Sequence, residues 1–476
     1  MLKIIKFATV SSTKYENLMG KNIKIKKGLD IRLDGEAEKV LVNAEMPDTV
    51  AIRPEDFVAI KPKVLVNPGD EVKAGTPLMY DKNNPHVMIC APVSGEIVEV
   101  KRGEKRVLEE IRILVDKEIS YLPFNAGNAD SLSREQLVDL LCKSGAWNFI
   151  RQRPYSAVAN PEKTPKAIFV SAFDSSPLAP DADFVMQGNE KYFEAGLAAL
   201  KKLCPAVHLN VHADKVKSPL FLQAKGVEIN TFSGPHPSGN VGVQIHHIDP
   251  INKGEIVWYT YPQDLVIIGR LLLEGRFDTH RIVAITGSQV KKRRYVRTIQ
   301  GANLKSILGV DNVEGSDNRF ISGNVLTGKK IPADGFLGFY DTQITVIPEG
   351  HEPEFFGWLA PGFNKFSNSK TFFTWAMPGK RFRLNTNKHG EERAFVVTGE
   401  YEKVFPMDIY PVQLLKAIIT NDIEAQENLG IYEVAPEDFA LCEFVCTSKI
   451  DSQEIVRKGL EALYLEEIES QKEVHH

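Results

Sequence analysis

Apolar periodicity changes character three times along this 476-residue chain, and no single core satisfies all four patterns. From residue 23 to about residue 123, short β-branched runs alternate with polar residues at period two, the mark of half-buried strands. Ile23 and Ile25, then Leu29, Ile31 and Leu33, and the runs 64–66, 87–89, 97–100 and 111–115 carry it. Turns at Pro68-Gly69-Asp70, Gly75, Asn83-Asn84-Pro85 and Ser94-Gly95 cut them apart. With no helix between them, these strands predict a small all-β barrel or sandwich.

The pattern then becomes alternating. Ser133-x-x-Gln136 is a capping box, in which hydroxyl and amide each satisfy one orphan helix N–H. Leu137, Leu140 and Leu141 follow, and Gly145 stops the helix. Ala167-Ile-Phe-Val170 is apolar at every position, as a strand covered on both faces requires. A helix over 190–203, with Phe193, Leu197 and Leu200 on one face, precedes strands at 207–211 and 227–231, a helix at 264–273 and a strand at 282–285. This alternation predicts a parallel α/β unit from about 145 to 285. Residues 287–399 are again rich in strands and turns, and dense in aromatics. From Tyr410 the chain reads as helix: Pro411 suits a first turn, Val412, Leu415 and Ile419 share a face, and Asp451-x-x-Glu454 opens a last helix through Val456, Leu460 and Leu463.

Composition excludes several classes. With 58 basic and 62 acidic residues the net charge is −4, too balanced for a dedicated nucleic-acid binder. The best apolar run, 265–273, contains Arg270 and is far too short to span a bilayer. Five cysteines without a CxxC predict no disulfide framework and a reducing compartment. Residues 1–18 lack the apolar core of a signal peptide.

Few motifs carry chemistry. The strand 167–171 runs into Ala172-Phe-Asp174-Ser-Ser-Pro177 without a glycine, so the dinucleotide fingerprint is absent. Gly234-Pro-His-Pro-Ser-Gly239-Asn-Val-Gly242 opens a helix and could seat an anion, although a plain turn is the favoured reading. No phosphate-binding loop of the Gly-x-x-x-x-Gly-Lys type exists. Cys442 and Cys446 have the wrong spacing for a cluster and read as buried structural thiols. His208, His236, His246 and His247 lack metal-ligand spacing. Two basic clusters, Lys291-Lys292-Arg293-Arg294 with Arg297, and Lys101-Arg102-Gly-Glu-Lys105-Arg106, suit anionic headgroups or an acidic partner, or else a solvated hairpin. Between Phe355 and Trp375, eight of 21 residues are Phe or Trp: Phe355, Phe356, Trp358, Phe363, Phe366, Phe372, Phe373 and Trp375. Gly357, Pro361, Gly362, Asn364 and Lys365 break the stretch, so part of it is loop. Aromatics in such a setting suit an interface, with small-domain core as the alternative.

Two resemblances follow. Val66-Asn-Pro-Gly69-Asp70-Glu-Val72-Lys-Ala-Gly75-Thr-Pro-Leu78 and Ala91-Pro92-Val-Ser-Gly95-Glu-Ile97-Val-Glu-Val100 resemble the two halves of a biotinyl/lipoyl domain. That implies a barrel-sandwich hybrid. Lys82 lies early for the family's carrier lysine and lacks its flanking residues, so a module without a swinging arm is the expected form.

The second covers nearly the whole chain. It rests on Ile23-Lys-Ile-Lys-Lys-Gly28-Leu-Asp30, Phe232-Ser-Gly-Pro-His-Pro237, Gln289-Val-Lys-Lys, Val296-Arg-Thr298, Ile321-Ser-Gly323-x-Val325-Leu-x-Gly328, Tyr401-Glu-Lys-Val-Phe-Pro406-Met-Asp408 and Asp438-Phe-Ala-Leu-Cys442-Glu-Phe-Val-Cys446. In that order they resemble the NqrA family, which contributes one component of the Na⁺-translocating NADH:quinone reductases. The resemblance implies an α/β multi-domain chain: a loose extension (1–20) ahead of Met19 as true start, a barrel-sandwich hybrid (21–125), a Rossmann-like domain (130–286), an aromatic-rich β-grasp-like domain (287–403) and a helical C-terminal domain (404–476). It also implies a peripheral subunit on the cytoplasmic side of the bacterial inner membrane, within a six-subunit complex that couples NADH oxidation and quinone reduction to Na⁺ export. Relatives that bind flavin carry a Gly-rich loop where this chain reads Gly145-Ala-Trp-Asn-Phe-Ile-Arg151. The resemblance therefore implies no cofactor on this chain, with flavins and 2Fe-2S on partner subunits, and no catalysis by the chain alone. Its partners are then the membrane subunits, above all the quinone-binding one, and no nucleic acid. Phe355, Phe356, Trp358, Phe363, Lys365 and Phe366 are the candidates at the quinone or partner interface, and Lys291, Lys292, Arg293 and Arg294 those facing membrane or partner. Two other functions compete: an autonomous flavin-dependent NADH dehydrogenase, and a lipoyl/biotinyl-type carrier modified on Lys82.

Overall fold

The computed structural model describes residues 19–127, 129–351, 357, 359 and 361–474. The expected extension before Met19 lies outside them, as do Phe355, Phe356 and Trp358.

The largest sheet runs Met19–Lys24, Glu228–Ser233, Val207–His212, Ala167–Ser171, Val257–Thr260, Arg151–Arg153. All neighbours are parallel except the last strand, which runs antiparallel to Val257–Thr260. Every residue of Ala167–Ser171 is buried, as its unbroken apolar run requires. The capping box forms as read: Ser133 caps Arg134–Ser144, Gln136 reaches back, and Gly145 closes the helix at φ 84°, a left-handed conformation that suits glycine. Helices Glu190–Leu203 and Pro262–Glu274 also fall where the 3.6-residue pattern puts them.

Three strands lie elsewhere than the sequence pattern suggests. Met19–Lys24, expected within the first β module, is the edge of the α/β sheet, beside Glu228–Ser233. Glu38–Asn43 joins Arg294–Ile299 in another sheet. His280–Thr286, expected to end the parallel unit, instead forms an antiparallel pair with Arg294–Ile299 and a parallel one with Gln343–Pro348. Alternation fixes which face of a strand is buried but not which sheet receives it. Val257–Thr260 is a further strand that its short aromatic sequence concealed.

The first module pairs a four-stranded sheet (Thr49–Ile52, Leu108–Val115, Gly95–Arg102, Glu71–Val72) with a three-stranded one (Pro62–Val64, Pro77–Asp81, Asn84–Cys90). Val50, Ile52, Leu78, Ile89, Ile97, Ile111 and Ile113 fill the space between. A mixed six-stranded sheet ends with Lys329–Ile331, Asn318–Ser322 and Gln343–Pro348 and carries helix Leu304–Leu308. It has its own core around Val283, Val296, Ile307, Leu337 and Val346. By contrast, one continuous core joins the first module, the α/β sheet and the C-terminal helices. The chain is an α/β multi-domain protein whose N-terminal segment stitches two of its sheets together.

Candidate functional site

The parallel strands change direction of succession at Ala167–Ser171: the chain proceeds outward to 207–212 and 228–233, then returns to the other side at Val257–Thr260. In such sheets the crevice at the carboxyl ends of the central strands is where ligands bind. A cleft of about 190 Å³ lies instead along the Val257–Thr260 and Arg151–Arg153 edge of this sheet, where the first module, the mixed sheet and the C-terminal helices converge. Glu55 and Asp56 come from the first module, Arg151, Tyr155, Ser156 and Tyr259 from the α/β sheet. Lys329, Phe339, Tyr340 and Asp341 come from the mixed sheet, Glu437, Arg457 and Glu461 from the C-terminal helices.

Arg151 dominates it. Its guanidinium carbon lies 4.4 Å from the Tyr340 ring centre, 4.7 Å from Tyr259 and 5.3 Å from Tyr261, an aromatic cage of cation–π contacts. Two residues on, Arg153 is fully buried and donates to Glu437 (2.6 Å) and Asp438 (3.3 Å). Burial opposes the charge of Glu437 most strongly, but Arg153, a backbone hydrogen bond, Arg151 and Arg457 together outweigh it and hold that carboxyl below the usual range. For Asp438 burial prevails, and its carboxyl is pushed up to about 6. Asp341, half-buried and accepting from Ser322 (2.6 Å), is also raised by desolvation. A second buried pair, Arg281 to Asp264 at 3.0 Å, sits behind the cage. The sequence motifs did not single out this cluster. The available signal was the alternation of Arg151 with Arg153, a spacing that puts both on one face of an edge strand.

The glycine-rich turn is plain in its backbone. His236 N–H donates to Asp30, Ser238 N–H to Pro235 O, Gly239 N–H to the Ser175 hydroxyl and Asn240 N–H to Pro237 O. Every amide hydrogen from 236 to 240 is therefore taken within the chain. The carboxylate at the following helix is the chain's own: Asp438 packs so closely on Gly242, in the first turn of Val241–Ile248, that a Cβ there would lie 2.5 Å from its Oδ2. Beneath it a buried network runs from Asn230 through Asn210 and Gln244 to Ser171. The Ser175 hydroxyl lies 3.0 Å from Nδ1 of His236, whose burial pulls its pKa down to about 4.

The remaining histidines do not converge. His246 lies between Glu433 (2.7 Å) and the Asp408 N–H (3.0 Å), which fixes its donating nitrogen as Nδ1. His247 contacts Val243 O, and His208 stacks on Phe169. No group of three or more potential metal ligands occurs among the described residues. All five cysteines are buried, and burial pushes the Cys142 thiol up to about 12.

The aromatic segment after residue 357 has one short 3₁₀ turn, Phe373–Ala376, and otherwise irregular backbone among its described residues. Phe363, Phe373 and Trp375 are 55%, 63% and 59% exposed, and the first two stack at 6.4 Å. Phe366 packs against Phe382 and Phe444, which ties the segment to the C-terminal helices. Lys365 donates to Gly357 O (2.9 Å) and lies over Phe372. Lys380 bonds to Phe363 O and to Asn364. In the basic cluster, Lys291 and Lys292 are exposed. Arg293 is paired with Asp34 (3.2 Å), which also approaches Arg383 (3.9 Å), and Arg294 belongs to a strand. The basic turn and the 380–383 segment are thus neighbours across Asp34. Lys82 occupies the turn between Pro77–Asp81 and Asn84–Cys90.

Three family models match: an NqrA N-terminal barrel-sandwich hybrid domain over residues 23–116, an NqrA second alpha/beta domain over 132–277, and an NQRA C-terminal domain over 282–333. The NqrA subunit of the Na(+)-translocating NADH-quinone reductase from Actinobacillus pleuropneumoniae serotype 5b is 41% identical over 448 residues, 93% of this chain and 99% of that protein. Those of Pasteurella multocida and Rhodopirellula baltica are 38% and 40% identical over 93% and 92% of this chain, and 99% and 97% of theirs. A crystal structure of an air-oxidized NAD+-reducing [NiFe]-hydrogenase covers 71% of this chain at 11% identity with a TM-score of 0.39, a likeness too slight to carry an argument. End-to-end identity near 40% with three domains matched in order leaves one assignment: the chain belongs to the NqrA family, that of the NqrA subunit of the Na⁺-translocating NADH-quinone reductases.

Proposed function

We propose that this chain is the peripheral subunit that docks on the membrane-embedded subunits of such a reductase through its exposed aromatic and basic surface, next to the quinone's entrance. The carrying observation is the set Phe363, Phe373 and Trp375, each more than half exposed, the first two stacked, beside Lys380. Aromatic rings flanked by cations suit the boundary between a lipid headgroup layer and a protein partner. Exposed rings of this size are costly to leave in water, which favours a surface covered in the assembled state. Lys291 and Lys292 extend the cationic margin, with Arg293 and Arg294 behind them. Phe355, Phe356 and Trp358 stay in the proposal as neighbours in sequence, and Phe363 and Lys365 as apolar wall and donor toward the quinone, with Phe366 packed behind them on Phe382 and Phe444.

No helix among the described residues is long and apolar enough to cross a membrane, so attachment through partners is the proposed arrangement, on the cytoplasmic face of the inner membrane. The chain itself holds no flavin or iron–sulfur cluster in this reading. In support, the amides of residues 236–240 in its glycine-rich turn are consumed internally and Asp438 occupies the approach to the following helix. Redox chemistry then belongs to partner subunits, with a Rossmann-like and a β-grasp-like domain retained as scaffold.

Replacing Phe363, Phe373 and Trp375 together with Asp tests the reading. The variant chain is expected to melt at the parent temperature yet fail to co-purify with the membrane subunits, and quinone reduction by membranes falls with it. Unchanged assembly and unchanged quinone reduction would overturn the proposal.

A further inference from the structure

The arginine–tyrosine cleft holds a cation, Arg151, that makes no direct ion pair among the described residues. The buried arginines behind it have carboxylate partners: Arg153 has Glu437 and Asp438, Arg281 has Asp264. Three tyrosine rings surround the guanidinium of Arg151, yet among the described residues no carboxylate lies within salt-bridge distance of it. Its buried Nε, like those of Arg153 and Arg281, has no hydrogen-bond partner there. Two more donors at the same cleft are orphaned. The hydroxyl of Tyr259, a residue only 1% exposed, has no partner, and neither has the buried Ser156 hydroxyl. Ser156 is held there by two consecutive left-handed residues, Tyr155 at φ 80° and Ser156 at φ 60°. The pair belongs to the turn that folds residues 157–158 back onto Arg151 and Gln152.

Unpaired buried donors cost about 1–3 kcal/mol each, and Arg151, Tyr259 and Ser156, which each carry one, all line this cleft. From these features we infer that the cleft is a binding site for a small molecule carrying an oxyanion, a phosphate or a carboxylate, seated on Arg151 with Tyr259 and Ser156 donating to it. A guanidinium fork matches the geometry of either group, and the tyrosine cage keeps it planar and desolvated. The cleft also carries carboxylates, most of them engaged with other residues: Glu55 and Asp56 approach Arg53 and Lys329, Asp341 accepts from Ser322, and Glu437 pairs with Arg153 while also acting on Arg151 at longer range. They offer acceptors to hydroxyl or amino groups on the rest of the ligand. Because the lining comes from all four parts of the chain, occupancy ties them together. This inference concerns the cleft alone and does not depend on the docking surface.

The test uses the purified full chain at constant ionic strength, titrated calorimetrically with inorganic phosphate and, separately, with succinate, against sodium chloride as blank. Saturable binding of one or both probes is expected, and the stronger of the two identifies the headgroup class. Arg151→Gln should weaken it about tenfold or more, the value of a lost charge-assisted hydrogen bond. Tyr259→Phe and Ser156→Ala remove one hydroxyl each while keeping ring and backbone. They should each weaken binding several-fold, which keeps the test sound if Arg151→Gln fails to fold. Lys202→Gln, exposed on helix Glu190–Leu203 and outside the cleft lining, should bind as the parent does. Absence of saturable heat with both probes, or binding that survives unchanged in Tyr259→Phe and Ser156→Ala, would overturn the assignment.

Discussion

Arg153 is the bolt between the α/β sheet and the C-terminal helices, and removing it should open that joint in a pH-dependent way. The guanidinium is fully buried, 2.6 Å from Glu437 and 3.3 Å from Asp438. Asp438 in turn accepts from Ala435 N–H and packs on Gly242. In Arg153→Met the cation is lost, the stem is kept, and two carboxylates stay in a site built to neutralise them. Breaking one side of a buried pair costs about 3–5 kcal/mol. The sign of the pH effect follows from linkage. Asp438, raised to about 6, is protonated more readily folded than unfolded, so its contribution is greatest in acid and declines as pH rises through 6. Glu437, held below the usual range, stabilises above that range and loses its contribution as pH falls. Without Arg153 both carboxyls shift upward, and the penalty grows once the solution pH exceeds them. The difference between parent and variant should be about 3–5 kcal/mol at pH 8 and roughly half that or less at pH 5. Hydrogen exchange by mass spectrometry across Pro411–Ile419 and Ala440–Val445 reads the opening free energy locally, which suits a chain of several domains. A loss below about 1 kcal/mol, or equal losses at both pH values, would refute the reasoning.

Two further perturbations probe the scaffold. Gly242→Ala drives a methyl to within 2.5 Å of a carboxylate that cannot retreat, and should cost about 1–3 kcal/mol in thermal unfolding; a neutral result would mean Asp438 is free to move. Ser133→Ala removes one half of the capping box and should cost about 1 kcal/mol, seen as faster exchange confined to Arg134–Ser144.

Much of the secondary structure was legible because its signals are local. Ser133, Gln136 and Gly145 specify a helix and both its ends within 13 residues, and the unbroken apolar stretch at Ala167–Ser171 could only be a covered strand. Sheet membership was not legible. Met19–Lys24 pairs with residues some two hundred positions away, and a period-two pattern carries no address. The same limit hid the cleft. Arg151 meets Tyr340, and Arg153 meets Glu437 and Asp438, only after the four parts of the chain assemble. The aromatic segment was visible as composition, but only the structure separates Phe366, spent on packing against Phe382 and Phe444, from Phe363, Phe373 and Trp375, which face outward.

Docking through that outward face is the central claim, and a photo-cross-linking amino acid placed at Trp375 in the native membrane tests it most directly. Irradiation is predicted to join this chain to a membrane-embedded subunit of the reductase, while the same group at Val310, 78% exposed on the mixed-sheet domain, gives no such adduct. No adduct from Trp375, or equal adducts from both positions, would contradict the account.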